Sequence, residues 1–549
     1  MNSKIKISVL NQHLFFSPIK RLTKYYRILI LVFLFTGSLS AQNFEPSWAS
    51  LGQYKVPEWF REAKFGIFLH WGVQTVPENE NGWYARQMYQ QKNAEWGNTY
   101  NYHLKTYGHP SKFGFKDLIP LWKAENWDPD ALVKVFKKNG ARYVVPVAVH
   151  HDNFDNYDSS FQPWNSVNMG PHRDIIGDWK KACDKYGMRF GVSSHSDRSW
   201  NWISASQGAD TEGEMKGVPY DGNLVKQDGV GKWWEGYDPQ DLYTKKHGPD
   251  DTPDDAYCEK WYLRTKELID KYQPDLLYFD GIMPIVCNGN SIACGESSKR
   301  KLEQYGFNLL SYFYNRNQVW HNGQQNAVVN LKEWSGKDIV DVNAIVLDIE
   351  KGQATGILPN YWQTDTSIPG GWFYDKSKLE LTDTVLIHNL CDIVSKNGNL
   401  LLNVGLRADG SLPVEQENIL NGIGKWLEIN GEAIYGTKPW TIYGEGPTVF
   451  EEGHFKQNKK PLTPKDIRYT TKDNALYVIV MGYPEDGTVS LQSINKSKLP
   501  WFGKIGKVSL IGNAGKINWK LKKDKLVLNF PKTLTTREVA YVFKIELIN

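Results

Sequence analysis

Apolar runs alternate with amphipathic stretches between about residues 57 and 431, and this alternation is the main pattern in the chain. Apolar runs without internal polar alternation are typical of strands that are buried on both faces of a parallel sheet. They predict strands at residues 65–72, 141–152, 188–197, 275–281, 327–334 and 399–406. Between them, apolar residues that recur every three or four positions predict helices at 128–140, 173–187, 258–273, 307–322, 383–398 and 413–431.

Repeated strand–helix alternation over this length favours a (β/α)8-like TIM barrel over an open sheet. After Tyr435 the pattern changes to short alternating runs separated by Gly, Asn, Lys and Pro. Such runs are typical of a small antiparallel β-sandwich. The fold class predicted is therefore α/β, with a barrel domain over residues 42–435 and a C-terminal β-sandwich over residues 436–549.

The N-terminus has the pattern of a targeting segment. Six Lys and Arg residues precede and flank the apolar run ILILVFLFTGSLSA at residues 28–41. A basic flank, an apolar core and small residues at its end predict a secretory signal peptide over residues 1–41. We therefore expect a secreted or periplasmic protein with no integral membrane span after signal removal. An uncleaved membrane anchor remains the alternative interpretation.

Charge and cysteine content exclude several classes. The formal net charge of +4 becomes −2 once residues 1–41 are set aside, because that segment holds six basic and no acidic residues. The basic composition therefore gives no indication of a nucleic-acid partner. Five cysteines without zinc-ligand spacing predict neither a disulfide scaffold nor a structural metal. Cys287 and Cys294 flank a short loop and are candidates for one disulfide.

Polar residues cluster where the predicted strands end. In β/α barrels, functional groups lie at the carboxyl ends of the strands. Imidazoles donate to and accept from hydroxyl groups, and a carboxylate on a stiff strand can attack the anomeric carbon of a sugar. For Asp280, a helix-capping or turn role is the alternative. The residues in question are His70, His150, His151, His195, Asp280, Lys332 and Glu350.

Four motifs in order carry a family resemblance: FGIFLHWG, W-Y-x-R-x-M-Y, V-x-V-H-H-D-N-F-D-N-Y-D-S and P-D-L-L-Y-F-D-G. Between about residues 59 and 374 the chain resembles glycoside hydrolase family 29, the α-L-fucosidases. The resemblance implies an exo-acting retaining hydrolase on a TIM-like barrel with a C-terminal β-sandwich. It implies a fucosylated oligosaccharide or polysaccharide as substrate and no cofactor.

The resemblance also assigns roles to residues. It implies that Asp280 is the nucleophile. It implies that His70, His150 and His151 bind the hydroxyl groups of fucose, and that Trp83 and Tyr89 line the same subsite.

The general acid/base is less sharply indicated. Candidate carboxylates after the nucleophile are Glu333, Asp348, Glu350 and Asp365. The segment LDIEKG resembles a family segment in which a Glu leads into a W-x-T-x-T stretch, so we expect Glu350 to protonate the leaving oxygen and later activate water. Glu333 and Asp365 remain the main alternatives.

The chain departs from the family pattern at several positions. Gly82 stands where the family often has Glu, and Tyr278 stands where Trp is common. Ser194 and His195 replace a typical Tyr and Ser, and Lys332 matches a family Arg, which exchanges a bidentate fork for a point charge. Because these positions surround the predicted sugar pocket, we include His195, Tyr278 and Lys332 in the substrate-binding set. A fucose-like sugar such as an α-L-galactoside remains open.

Two other classes of function compete with this hypothesis. Histidines and Asp280 are also suitable zinc ligands, but barrel amidohydrolases usually open with His-x-His, whereas Trp71 and Gly72 follow His70. We therefore predict no metal. A non-catalytic glycan-binding protein on the same scaffold is the second alternative, although both expected carboxylates are present. The oligomeric state is not predicted.

Overall fold

Eight parallel strands close into a barrel in sequence order in the computed structural model. Strand β1 pairs with β2 on one side and with β8 on the other, so Ile67 lies between Val144 and Leu402. The strands are β1 (Phe65–Leu69), β2 (Tyr143–Val149), β3 (Arg189–Ser194), β4 (Leu276–Phe279), β5 (Val328–Lys332), β6 (Val346–Asp348), β7 (Trp362–Ser367) and β8 (Gly398–Asn403). The predicted barrel is confirmed; β6 and β7 were not predicted.

The structure describes residues 43–79, 82–92, 98–248, 251, 253–281, 296–332, 340–368, 371–376, 381–497, 504–532, 534 and 538–548. Residues 44–549 form one compact unit. The candidates Cys287, Cys294 and Glu333 lie outside the described residues. Within the described ranges, none of the helices combines the length and the apolar composition that crossing a membrane requires.

Helices surround the barrel, and their ends follow local sequence signals. Asp128 and Asp174 cap two of them by accepting from the Ala131 and Gly177 amides at 3.0 and 2.9 Å, and Gly187 ends the second in a left-handed conformation. The α-helices are α1 (Trp48–Leu51), α2 (Glu58–Ala63), α3 (Tyr84–Gln87), α4 (Thr99–Thr106), α5 (Pro129–Lys138), α6 (Ile175–Tyr186), α7 (Ser199–Trp202), α8 (Pro239–Leu242), α9 (Asp255–Tyr272), α10 (Glu296–Trp320), α11 (Asp383–Ser395) and α12 (Val414–Asn430). Short 3-10 helices occupy Val73–Thr75, Phe115–Leu121, Ile203–Gln207, Asp221–Asn223, Lys226–Gly229 and Gly431–Ala433.

The C-terminal part contains two antiparallel sheets, as the alternating pattern predicted. A five-stranded sheet has the order β13-β16-β11-β10-β9, and a three-stranded sheet has the order β12-β15-β14. The strands are β9 (Lys438–Glu445), β10 (Ile467–Lys472), β11 (Ala475–Val480), β12 (Thr488–Leu491), β13 (Lys504–Leu510), β14 (Asn518–Leu521), β15 (Leu526–Asn529) and β16 (Tyr541–Ile548). Val478, Leu528 and Phe543 belong to the apolar core of this part.

Buried polar contacts join the sheets to the barrel helices. Arg468 of β10 donates from Nε to Asp392 of α11 at 2.5 Å, and both side chains are 2% exposed. The Trp426 indole of α12 donates to the Ala540 carbonyl at 2.9 Å. These bonds satisfy groups that burial would otherwise leave unpaired, so they fix the packing of the two parts.

Candidate active site

A cavity of about 650 Å³ opens at the carboxyl ends of the barrel strands. Most of the residues expected from the sequence line it, each carried by the end of a strand or by the loop that follows. These are His70, Trp83, His150, His151, His195, Asp280, Lys332 and Glu350.

One ammonium group organises the carboxylates of this cavity. Lys332, the last residue of β5, places Nζ 2.6 Å from Asp280 Oδ1, 2.8 Å from Glu350 Oε2 and 3.2 Å from Asp365 Oδ2. Its side chain is only 2% exposed. Burial lowers the pKa of Lys332, but the surrounding carboxylates outweigh this and hold it well above its usual range, so the residue stays charged.

The two central carboxylates have opposite pKa shifts. Burial raises the pKa of Asp280, but the Lys332 ammonium and a His151 hydrogen bond overcome that effect and hold the pKa well below its usual range. Burial raises the pKa of Glu350 to about 7, although Lys332 acts against this shift. Paired carboxyl groups with separated pKa values are the arrangement that divides a nucleophile from a general acid.

Their spacing follows from the shared lysine. Because Lys332 Nζ contacts Asp280 Oδ1 at 2.6 Å and Glu350 Oε2 at 2.8 Å, these two oxygens are at most 5.4 Å apart. Retaining glycosidases hold their carboxyl groups about 5–5.5 Å apart, whereas inverting enzymes need about 6.5–9.5 Å to admit a water molecule. The upper limit on the distance between these two oxygens is compatible with a retaining mechanism.

His151 and His195 flank the Asp280 carboxylate. His151 donates from Nδ1 to the His195 carbonyl at 2.8 Å, and its Nε2 is 3.1 Å from Asp280 Oδ2. Because both neighbours are acceptors, the two bonds form together only when the imidazole carries two protons. His195 Nδ1 is buried and 3.6 Å from the same oxygen, and it has no hydrogen-bond partner among the residues that the structure describes.

His70 and His150 present opposite hydrogen-bonding groups to the cavity. His70 Nδ1 donates to Asn403 Oδ1 at 2.9 Å, which leaves Nε2 as an acceptor. His150 Nδ1 accepts from the Gln74 amide nitrogen at 2.7 Å, which leaves Nε2–H as a donor. Burial lowers the pKa of His70 to about 4 and that of His150 well below its usual range, so both rings stay neutral. A neutral donor–acceptor pair suits sugar hydroxyl groups.

The histidine cluster also has the proximity of a metal site, since ligand atoms of His70, His150 and His195 lie within 4.8 Å of one another. The tautomer of His150 disfavours coordination. Gln74 accepts from the Ala85 amide through its oxygen, so its nitrogen faces His150 Nδ1 and the cavity-facing Nε2 carries a proton. The cluster therefore matches hydroxyl recognition better than the zinc-hydrolase alternative.

Aromatic rings complete the cavity. Trp83 lines the cavity and is 41% exposed. The centroid of the Trp372 ring lies 5.0 Å from that of the His70 ring. Gly82 has a φ of 113°, and a Cβ built there would lie 3.1 Å from Trp372 Cδ1. The backbone conformation and the close ring favour glycine at this position.

Two residues expected in the cavity lie outside its lining. Tyr89 is 4% exposed and donates to Asp221 Oδ1 at 2.7 Å under a long loop, so packing is its role. Tyr278 is fully buried beneath the cavity. Its hydroxyl donates to Asp365 Oδ2 at 2.8 Å and lies 3.1 Å from Asp348 Oδ1, so it positions carboxylates instead of facing a ligand.

The remaining acid/base candidates are less suitable than Glu350. Asp348 is fully buried and does not line the cavity. Burial, and secondly the negative charge of Asp365, raise the pKa of Asp348 well above its usual range. Asp365 lines the cavity but is 1% exposed and bound by Tyr278 as well as Lys332. Glu350 combines access to the cavity with a pKa near neutrality.

Several cavity residues were not expected from the sequence. Arg198, Lys351, Trp372, Phe455, Gln457 and Lys459 belong to loops, where no strand-end rule applies. Asn403, the last residue of β8, sets the orientation of His70, and its place at a strand end was a usable signal. Phe455, Gln457 and Lys459 precede the second strand of the C-terminal sheets, so no barrel pattern could indicate them.

Comparison with known proteins gives a consistent result. A family model described as alpha-L-fucosidase matches residues 32–432, and a model described as alpha-L-fucosidase C-terminal domain matches residues 457–546. The chain is similar to the tissue alpha-L-fucosidase of Rattus norvegicus, with 30% identity over 88% of this chain and 87% of that protein. It is 28% identical to the tissue alpha-L-fucosidase of Homo sapiens over 92% and 93% of the two chains.

Solved structures similar to this chain are also of alpha-fucosidases. The Thermotoga maritima alpha-fucosidase bound to a mechanism-based inhibitor has a TM-score of 0.66 and 29% identity over 92% of this chain and 100% of that chain. The same enzyme in complex with fucose has a TM-score of 0.64 and 29% identity, over 91% and 100% of the two chains.

Proposed function

The chain belongs to the α-L-fucosidase family, glycoside hydrolase family 29, and from this premise we propose that Asp280 and Glu350 perform its retaining hydrolysis of terminal α-L-fucosides. Asp280 is the nucleophile and Glu350 is the general acid/base. The observation that carries this assignment is the Lys332 bridge, which keeps an oxygen of each carboxyl group within 5.4 Å of the other.

In the first step the Asp280 carboxylate attacks the anomeric carbon while Glu350 gives its proton to the leaving oxygen. Lys332 and His151 keep Asp280 ionised, and the pKa of Glu350 near 7 keeps much of that group protonated at neutral pH. The products are a covalent glycosyl–enzyme ester and the free leaving group.

In the second step Glu350 acts as a base. It removes a proton from a water molecule, which attacks the anomeric carbon and releases Asp280. Two inversions at one carbon restore the original configuration, so the sugar leaves as the α-anomer. Lys332 stays within reach of both groups as the negative charge passes from Asp280, which becomes a neutral ester, to the deprotonated Glu350 and back again.

The hydroxyl groups of the sugar meet the neutral imidazoles. His70 Nε2 accepts and His150 Nε2–H donates. His195 supplies a third ring, and its buried Nδ1 finds no partner within the described part of the chain. Trp83 and Trp372 cover the apolar face of the ring, where flat aromatic surfaces pack against C–H groups. A terminal residue of a fucosylated oligosaccharide or polysaccharide is the substrate that this pocket fits.

We extend the proposal to the processing of the chain. Residues 1–41 act as a secretory signal, supported by the basic flank and the apolar run at 28–41, and the enzyme works outside the cytoplasm. Residues 42–435 form the catalytic domain and residues 436–549 the β-sandwich, supported by the start of β9 at Lys438.

Covalent trapping tests the nucleophile. The protein is incubated with a 2-fluoro-fucosyl fluoride, digested, and its peptides are analysed by mass spectrometry. The label is expected on the peptide that contains Asp280, and Asp280→Gly is expected to remain unlabelled and inactive. A label on another carboxylate, or an active Asp280→Gly variant, would contradict the assignment. Parallel assays on nitrophenyl α-L-fucoside and α-L-galactoside decide the sugar.

A further inference from the structure

A segment that belongs to neither the barrel strands nor the sandwich strands pairs with the loop of the acid/base. We define residues 453–457, between β9 and β10, as the pairing segment. The Gly453 amide donates to the Gln353 carbonyl at 3.1 Å, the Phe455 amide to the Glu350 carbonyl at 2.8 Å, and the Gln457 amide to the Lys351 carbonyl at 2.8 Å. In return, the Glu350 amide donates to His454 Nδ1 at 2.9 Å.

Phe455 holds an unusual position in this segment. Its side chain is 60% exposed, although it is large and apolar, and it lines the cavity. Its backbone φ is 60°, in the left-handed region that bulky side chains rarely adopt. A strained backbone that keeps an aromatic ring exposed at a cavity points to a role in ligand binding.

The chemistry defines which part of the ligand meets this ring. Glu350 protonates the oxygen between the fucose and its leaving group, so the leaving group lies on the Glu350 side of the cavity. The amide of Phe455 is bonded directly to the Glu350 backbone, which fixes the ring on that side. The histidines that bind the fucose belong to the ends of β1, β2 and β3, across the barrel mouth.

Resting on the proposed function, we infer that Phe455 is the aromatic platform for the leaving group, and that this group is a pyranose sugar with an apolar C–H face. Lys351, Gln457 and Lys459 also line the cavity, and we expect them to supply polar contacts to the hydroxyl groups of this sugar. Phe455 thereby selects oligosaccharides over fucosides whose leaving group has no ring.

The test compares substrates that share fucose and differ in the leaving group. Wild type and Phe455→Ala are assayed on α-L-fucosyl fluoride and on disaccharides in which α-L-fucose is linked to galactose or N-acetylglucosamine. We expect kcat/KM of Phe455→Ala to fall about tenfold or more on the disaccharide that wild type prefers, and to change less than about twofold on the fluoride. Inhibition by free fucose is expected to be unchanged.

Two control variants sharpen the comparison. Phe455→Tyr keeps the ring and is expected to retain disaccharide activity. Val449→Ala alters a residue that is 88% exposed in the same connection and does not line the cavity, so it is expected to behave as wild type. Equal changes on both substrate classes in Phe455→Ala, or no change on either, would overturn the inference. A wild-type protein inactive even on the fluoride would instead refute the proposed function.

Discussion

Lys332 is the residue on which the electrostatics of the site depend. A single ammonium on β5 contacts three carboxylates within 3.2 Å, at the position that the sequence resemblance matches to an arginine of the family. An arginine fork matches one carboxylate in a plane, whereas a compact ammonium with three donors can serve three carboxylates. The substitution therefore preserves the charge while it changes how that charge is shared between nucleophile and acid.

Glu350 gives the first prediction. Because its pKa is raised to about 7 and the protonated form is the acid, kcat/KM is expected to fall as the pH rises through about 7. Asp280 has a strongly lowered pKa and stays ionised, so it imposes no loss at mildly acidic pH. A pH–rate profile on a fucoside with a poor leaving group measures this.

The matching variant is Glu350→Gln. It is expected to lower kcat/KM by about 10²–10⁴-fold on poor leaving groups, with a smaller loss on nitrophenyl fucoside, and to remove the basic limb. In Glu350→Ala, whose short side chain leaves room for the anion, azide is expected to restore turnover on the nitrophenyl substrate. If Asp365→Asn produced this behaviour and Glu350→Gln did not, the acid/base role would belong to Asp365.

Lys332→Met gives the second prediction. Without the ammonium, the pKa values of both Asp280 and Glu350 are expected to rise, which moves both limbs of the pH–rate profile to higher pH. Leaving buried carboxylates without their cation is expected to reduce the free energy of unfolding by about 3–5 kcal/mol. Lys332→Arg keeps the charge, so its limbs should stay near those of wild type; unchanged limbs in Lys332→Met would contradict the explanation.

At this scale the sequence predicted the residues at strand ends and missed those on loops. Asp280 follows β4 directly and His151 is the second residue after β2, so the barrel rule brings them together. Tyr89 shares a motif with Trp83, but a motif does not show which side of a loop a ring faces. The Tyr89 hydroxyl donates to Asp221 instead of lining the cavity. Phe455 lies more than a hundred residues after Glu350, and a backbone hydrogen bond that no local sequence pattern indicates joins them.

At the scale of elements, β1 shows how the interior of the barrel is filled. Gly66 faces the Tyr143 ring of β2, and a Cβ built at Gly66 would lie 2.4 Å from that ring. Tyr143 cannot move aside easily, because it is fully buried and its hydroxyl donates to Gln363 Oε1 at 2.8 Å. Because Gly66 has no side chain, the Tyr143 ring of the neighbouring strand can occupy the space beside it.

Gly66→Ala is therefore expected to lower the free energy of unfolding by about 1–3 kcal/mol through overpacking. Thermal or chemical denaturation measures this. Gly356→Ala is the matched control, since a Cβ there meets no atom within 4 Å, and its effect should stay within about 0.5 kcal/mol. A Gly66→Ala protein as stable as wild type would show that the ring shifts without cost.

There is also a physical reason why the sequence pattern did not predict strands β6 and β7. β6 has three residues, too few for a periodic pattern. β7 has the sequence WQTDTS and is buried throughout, although most of its residues are polar. Its Gln363 and Asp365 side chains lie in a polar part of the barrel interior, where Gln363 contacts Asp348 and Asp365 contacts Tyr278. Apolar runs indicate strands with apolar surroundings, so a strand that supports a charged site escapes that pattern.

At the scale of the whole molecule, the β-sheets are bonded into the barrel. Arg468 and Asp392 form an ion pair that is almost fully buried, and Lys396 Nζ lies 2.7 Å from the same carboxylate. The alternating strand pattern predicted the sheets, but the pair joins residues 76 positions apart on different elements, which no local pattern indicates.

Arg468→Met is expected to reduce the free energy of unfolding by about 3 kcal/mol, because it leaves Asp392 buried with Lys396 as its remaining cation. Tryptophan fluorescence during urea denaturation measures the loss. Lys181→Met removes a pair whose lysine is 78% exposed, and it should cost less than about 0.5 kcal/mol. Similar stabilities of the two variants would mean that the buried pair does not hold the molecule together.

The pairing segment has a consequence for how this scaffold can diversify. Its three amide donors to residues 350, 351 and 353 are main-chain groups, which every residue except proline possesses. Side chains other than that of His454, which accepts from the Glu350 amide, can therefore be exchanged there while the main-chain contacts to the acid/base loop are kept. Residues that contact the leaving group and residues that catalyse the reaction then lie on separate segments. Point mutations in the pairing segment could therefore change which glycans are cleaved while the catalytic residues stay the same.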